Sequence, residues 1–225
     1  MTEPAPLHAD TRAQIDAFTT SGRPLIVCDV DEVVLHFIAP LERHLDAYGY
    51  DLIARSYSLA GNVIHRESGA ALPGPEVHAL LHGFFAERIH EQPPVDGAAE
   101  ALDALSADAD IVMLTNMPGE YREERAAVLT RHGIPFPVIT NTGTKGAAVA
   151  ALAERSDGPV IFLDDSPANL RSVRDTAGDT RLVQFIADPR FLALAGDIDG
   201  IDLLTGVWSE AHRFIDTLLG GGKGR

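Results

Sequence analysis

Five short apolar runs, at residues 25–30, 111–114, 136–139, 160–163 and 182–186, alternate with stretches that carry helix punctuation, and this alternation constrains the fold more than any other feature of the chain. Runs rich in Val, Ile, Leu and Phe, each short enough for one buried strand, predict a parallel α/β sheet with helices on both faces. Pro118 and Gly119 open a helical stretch that closes at Gly133, Thr144 opens one running to Arg155, and Pro167 opens a third. Right-handed crossovers then bring the carboxyl ends of all strands to one edge of the sheet, where α/β proteins assemble their sites.

One interval breaks the rhythm. Residues 35–108, between the first two runs, are too many for a single crossover helix and must contain an insertion. Within it, 36–48 and 75–90 read as helices, and 50–67, with Gly61 and Asn62 at its middle, reads as a hairpin or a further helix. The expected organisation is a Rossmann-like core formed by 1–35 and 96–225, with a mostly helical cap domain at 36–95 inserted after the first strand. Residues 1–20 and 207–219 read as amphipathic helices, and 220–225 as a mobile tail.

Composition narrows the partners. With 18 Lys and Arg against 33 Asp and Glu, the formal charge of −15 repels nucleic acid, and an anionic substrate would need local positive charge. No segment approaches the roughly 18 uninterrupted apolar residues of a membrane span, and the first twenty residues hold no signal-like apolar run. The single cysteine, Cys28, excludes an internal disulfide and reads as a buried thiol, so a reducing, cytoplasmic location is expected.

The polar residues after each strand carry the chemistry. Asp29 and Asp31 follow the first run, and side chains two apart in an extended chain point the same way. Asp164 and Asp165 follow the fourth run, just before Pro167. Each pair alone reads equally as a turn or a helix cap. Four carboxylates at one sheet edge, however, repel one another unless a hard divalent cation with oxygen ligands such as Mg²⁺ joins them. Thr115 and Asn116, after the second run, offer a hydroxyl, an amide and backbone N–H groups suited to phosphate oxygens. Lys145 falls in the expected first turn of a helix, where a cation opposes the helix dipole, and it supplies the local positive charge that the chain otherwise lacks.

These four clusters, in this order and each at a strand end, resemble the four motifs of the haloacid dehalogenase-like (HAD) hydrolase superfamily over residues 24–35 and 109–190, with the insertion placed as in members with a C1 cap. The resemblance implies that Asp29 is a nucleophile forming an aspartyl-phosphate and that Asp31 is the general acid and base. It implies that Thr115 and Lys145 hold the phosphoryl group, and that Asp164 and Asp165 complete a Mg²⁺ site with the Asp29 carboxylate and the Asp31 backbone carbonyl. Glu32 stands where many members have Gly or another small residue, while Val33 stands where Thr or Val is usual, and Glu32 is expected to add charge near the site entrance.

The expected activity is Mg²⁺-dependent hydrolysis of a small phosphorylated metabolite. A phosphotransferase of the same superfamily and a regulatory phospho-acceptor are the alternatives, and a water-activating Asp31 beside a long insertion favours turnover. Dehalogenation is disfavoured because it dispenses with the second aspartate. Within the insertion His36 and Arg66 are the candidate substrate contacts, while His78 and His82, four apart on a helix, lack a third ligand for a metal.

Overall fold

The computed structural model describes residues 7–220. Strands β1 (Leu25–Cys28), β4 (Asp110–Thr115), β5 (Val138–Thr140), β6 (Val160–Asp164), β7 (Arg181–Phe185) and β8 (Leu203–Thr205) form a six-stranded sheet in the order β5-β4-β1-β6-β7-β8. Every neighbouring pair is parallel. From β1 the chain builds outward to β4 and β5, then returns to β6 on the other side. That reversal opens a crevice beyond the carboxyl end of β1, the usual place for a ligand in such a sheet.

Period-two alternation distributes the strand side chains between two cores. Leu25 and Val27 join Ile15 of α1 (Ala9–Ala17), Val149 of α6 (Gly146–Ala153) and Leu170 of α7 (Pro167–Thr176). Ile26 and Cys28 join Leu102 of α4 (Ala98–Leu105), Leu129 of α5 (Arg122–Arg131) and Trp208 of α9 (Trp208–Gly220) on the opposite face. With both faces covered, the central strands are wholly buried, which is why they read as continuous apolar runs.

The insertion lies between β1 and β4. It comprises α2 (Ile38–Ala47), an antiparallel hairpin of β2 (Tyr50–Leu52) and β3 (Val63–His65), and α3 (Gly74–Arg88), followed by a 3₁₀ turn at Ile89–Glu91. The hairpin settles the alternative left open for 50–67. A third apolar cluster unites Phe37, Leu41, Phe84 and Phe85 of the insertion with Met117, Ile186 and Phe191 of the core, so the insertion is packed onto the carboxyl edge of the sheet.

Several boundaries differ from expectation for identifiable reasons. The run at 136–139 begins its strand only at Val138, because Pro135 and Pro137 have no N–H to donate to a ladder. The short edge strand β8 was not anticipated: three residues flanked by Asp202 and Gly206 leave no apolar run to detect. Another short helix, α8 (Pro189–Leu192), follows β7. The N-terminal helix spans Ala9–Ala17; residues 1–6 and the tail at 221–225 lie outside the described residues.

Glu32 needs a correction. Rather than charging the site entrance it is 2% exposed, and its carboxylate accepts backbone N–H bonds from Phe37 (2.7 Å), Ile38 (2.7 Å) and Asp188 (2.8 Å). It thus neutralises the start of α2 and ties the loop after β1 to the loop after β7, at the cost of a left-handed backbone (φ 61°). Burial raises its carboxyl above the ordinary value, against the pull of those three donors.

Candidate active site

Asp29 extends the ladder of β1 by one residue, its N–H donating to the Leu163 carbonyl at 2.9 Å. The chain then turns sharply, with the N–H groups of Val34 and Leu35 both donating to the Val30 carbonyl at 3.0 and 2.9 Å. Trp208 Nε1 fastens the turn from behind through the Val33 carbonyl at 2.9 Å.

Lys145 stands just ahead of α6 rather than within its first turn. A glycine is required next to it: a Cβ on Gly146 would lie 2.5 Å from the Ser172 carbonyl oxygen, so only glycine lets α6 approach α7 this closely. The approach sets Lys145 wholly inside the protein, with Nζ 2.6 Å from Asp29 Oδ1 and 2.7 Å from Asp164 Oδ2. The opposed helix dipole is thus outweighed by two buried carboxylates. Those carboxylates hold the ammonium's proton more tightly than usual despite its burial.

Asp164 ends β6 and is engaged on both oxygens. Oδ1 accepts from the Ser166 N–H at 2.9 Å, and Asn169 Nδ2 donates at 3.0 and 3.2 Å to the two oxygens. Asp165 faces the insertion, where the Tyr57 hydroxyl donates to its Oδ2 at 2.6 Å. Burial pushes the Asp29 carboxyl up to about 7, and Lys145 only partly offsets this. Burial, with Asp164 beside it, also raises Asp165 well above the carboxylate range.

Oxygens of Asp29, Asp164 and Asp165 lie within 4.8 Å of one another. Three carboxylates crowded in this way, two of them resisting ionisation, form an all-oxygen donor set that suits a hard divalent cation such as Mg²⁺. Asp165 is less committed to neighbouring donors than Asp164 and is the freer of the adjacent pair.

Asp31 is tied on one oxygen: Oδ1 accepts from Gln92 Nε2 at 2.7 Å and from Arg125 Nη2 at 3.1 Å. Gln92 also donates to the His36 carbonyl at 3.2 Å, so a single amide spans the two chain segments that enter and leave the insertion. Arg125 is wholly buried, its guanidinium 5.7 Å from the Phe85 ring centre.

Thr115 ends β4 fully buried, and its hydroxyl has no hydrogen-bond partner among the described residues. Asn116 binds the Gly143 carbonyl through Nδ2 at 2.9 Å and accepts from Asn141 through Oδ1 at 2.9 Å, joining the loops after β4 and β5. A cleft of about 460 Å³ opens over the site, with Asp29, Asp31, Asn116 and Asp165 on the core side.

The candidate residues of the insertion lie elsewhere. Arg66 is held by Asp46 (2.6 Å) and Asp51 (2.7 Å) on the outer surface, and neither it nor His36 lines the cleft. His78 is exposed, while His82 meets Glu120 at 3.1 Å.

Four residues escaped the sequence reading: Gln92, Arg125, Tyr57 and Asn169. Arg125 had a signal, since with Val128 and Leu129 it occupies the buried i, i+3, i+4 stripe of α5, where a charge needs a partner. The others look like ordinary loop or helix residues.

No protein-family model matches the chain, and no curated protein matches it in sequence. Solved structures do. A haloacid dehalogenase-like protein from Agrobacterium tumefaciens str. C58 superposes with a TM-score of 0.59 at 17% identity, over 87% of this chain and 99% of that one. A phosphoglycolate phosphatase predicted in Haemophilus somnus 129pt gives 0.57 at 12% identity, over 88% and 100%. CbbY from Rhodobacter sphaeroides, solved with phosphate, gives 0.56 at 16%, over 84% and 96%. The chain therefore has the HAD-like hydrolase fold, with the insertion after the first strand that marks the C1 cap type. At these identities the likeness establishes architecture, and the activity must be argued from the site.

Proposed function

We propose that the protein is a Mg²⁺-dependent phosphohydrolase acting on a small phosphate monoester, with residues 36–95 serving as a cap domain over the core. The observation that carries this reading is the buried Lys145 ammonium within 2.7 Å of both Asp29 and Asp164 at the carboxyl edge of the sheet, beside Asp165. It supplies the local positive charge that an acidic chain needs to receive a phosphate.

In the proposed reaction the Asp29 carboxylate attacks phosphorus in line with the leaving oxygen, forming an aspartyl-phosphate as the ester P–O bond breaks. Asp31 gives its proton to the departing alcohol, then takes one from a water that attacks the phosphorus and releases inorganic phosphate, regenerating Asp29. With Oδ1 of Asp31 held by Gln92 and Arg125, Oδ2 is left to exchange the proton. Thr115, Asn116 and Lys145 would hold phosphoryl oxygens. Asp29, Asp31 through its backbone carbonyl, Asp164 and Asp165 would hold the cation. When bound, Mg²⁺ would neutralise charge on the transferring group. The presence of Asp31 and of the Asp164, Asp165 pair favours phosphate chemistry over dehalogenation on this fold.

Release of phosphate from p-nitrophenyl phosphate, with Mg²⁺ or with chelator, tests the reading. Wild type should require Mg²⁺, and Asp29→Asn should lose at least about 10³-fold in kcat. Equal turnover by the two proteins would discard the mechanism.

A further inference from the structure

Resting on that reading, we infer that the leaving group is an uncharged, largely apolar alcohol or phenol, so that the preferred substrates are alkyl or aryl phosphates rather than phosphorylated acids or sugars. The cleft is two-sided in chemistry. Its core side presents acids, amides and the hydroxyl residues Thr144 and Ser166, which would handle the phosphoryl group, whereas the insertion contributes Phe37, Leu59, Leu81 and Phe85. Among the described residues, no lysine, arginine or histidine lines it.

Among the described residues, the two cations that touch the site acids are both fully buried and already committed, Lys145 to Asp29 and Asp164, and Arg125 to Asp31. A second anionic group on the substrate would therefore meet an apolar wall under the field of a chain with a charge of −15 and would lose its hydration without a counter-charge. A polyhydroxylated group would likewise leave several hydroxyls unsatisfied against Leu59, Leu81 and Phe85.

A smaller hollow borders the apolar side of the cleft. This hollow, of about 90 Å³, shares Phe37, Leu59 and Asp165 with the cleft and adds Ile38, Tyr57 and Phe191, the last two with rings edge to face at 6.0 Å, together with the polar Glu32 and Ser58. A chain or ring leaving the phosphate can follow this wall while the phosphoryl group stays at Asp29.

The test is a set of kcat/KM values for wild type in Mg²⁺ with ethyl, butyl and hexyl phosphate, phenyl phosphate, phosphoglycolate and glucose 6-phosphate, with p-nitrophenyl phosphate as a control for turnover. Values should rise with alkyl length by roughly two- to fourfold per methylene, the increment expected for apolar burial, and phosphoglycolate should fall at least about tenfold below hexyl phosphate. Leu59→Arg and Leu81→Arg, at half-buried wall positions, should each flatten the length series and raise phosphoglycolate relative to hexyl phosphate. A flat wild-type series, or preference for phosphoglycolate or the sugar phosphate, overturns this inference while leaving the phosphatase reading intact. Absence of Mg²⁺-dependent turnover with every compound, p-nitrophenyl phosphate included, overturns both.

Discussion

The carboxyl edge of the sheet and the insertion that covers it solve opposite problems with charge. At the edge, Asp29, Asp164 and Lys145 are buried together and satisfied by one another, by Asn169 and by the Ser166 N–H. In the insertion, charged groups such as Arg66, Asp46 and Asp51 pair in solvent on the outer surface, while the inner wall is hydrocarbon. A buried ionic cluster is rigid and intolerant because each member needs the others, whereas an apolar wall accepts any side chain of fitting volume. On the proposed reading, the contrast assigns reaction chemistry to the core and selectivity to the cap.

The most severe way to break the contrast is Lys145→Met. Removing one partner of a buried ionic set leaves Asp29 and Asp164 facing each other, and destabilisation of about 3–5 kcal/mol is expected together with loss of turnover. Chemical denaturation and phosphate release read the two effects, and a variant as stable as wild type would mean that the ammonium does not hold the edge together.

Metal and pH offer a smaller, graded probe. Because burial raises the Asp29 carboxyl from 3.8 to about 7, the folded chain holds this proton more tightly than the unfolded chain does. The group's contribution to stability is therefore full below about pH 4 and is lost as the pH rises through about 7. A divalent cation favours the ionised carboxylate, so Mg²⁺ should raise the melting temperature more at about pH 7.5 than at about pH 5. Equal shifts at the two pH values would detach Asp29 from the cation.

Arg66→Ala should do least. An exposed ion pair contributes little, so the melting temperature should stay near that of wild type and kcat/KM within about twofold. A larger fall in kcat/KM would restore Arg66 as the candidate substrate contact and would blur the division between the cap's surface and its inner wall.

How much of this was legible beforehand depended on sequence separation. Asp29, Asp31, Thr115, Asp164 and Asp165 were each visible as polar residues following an apolar run, and Lys145 as a cation at an expected helix start, because period-two burial, strand termini and helix punctuation are local properties. The partners of Asp31 were not: Gln92 lies 61 residues away and Arg125 lies 94 away. Tyr57 reaches Asp165 across 108 residues from a hairpin loop whose very type was ambiguous. Glu32 was misjudged because its burial depends on a left-handed turn that aims it at the start of α2, five and six residues on, and on the Asp188 N–H, 156 residues away.

The sequence by itself determined the layered α/β architecture, the insertion after the first strand and the set of strand-end acids with one lysine, since alternation, punctuation and run length act over a few residues at a time. Only the tertiary structure decided that Lys145 is shared between Asp29 and Asp164, that Arg125 and Gln92 hold Asp31, and that the cap turns hydrocarbon rather than its histidines and arginines toward the cleft. Those outcomes depend on which distant surfaces can be buried against each other without stranding a polar group, and that is settled by the whole fold at once.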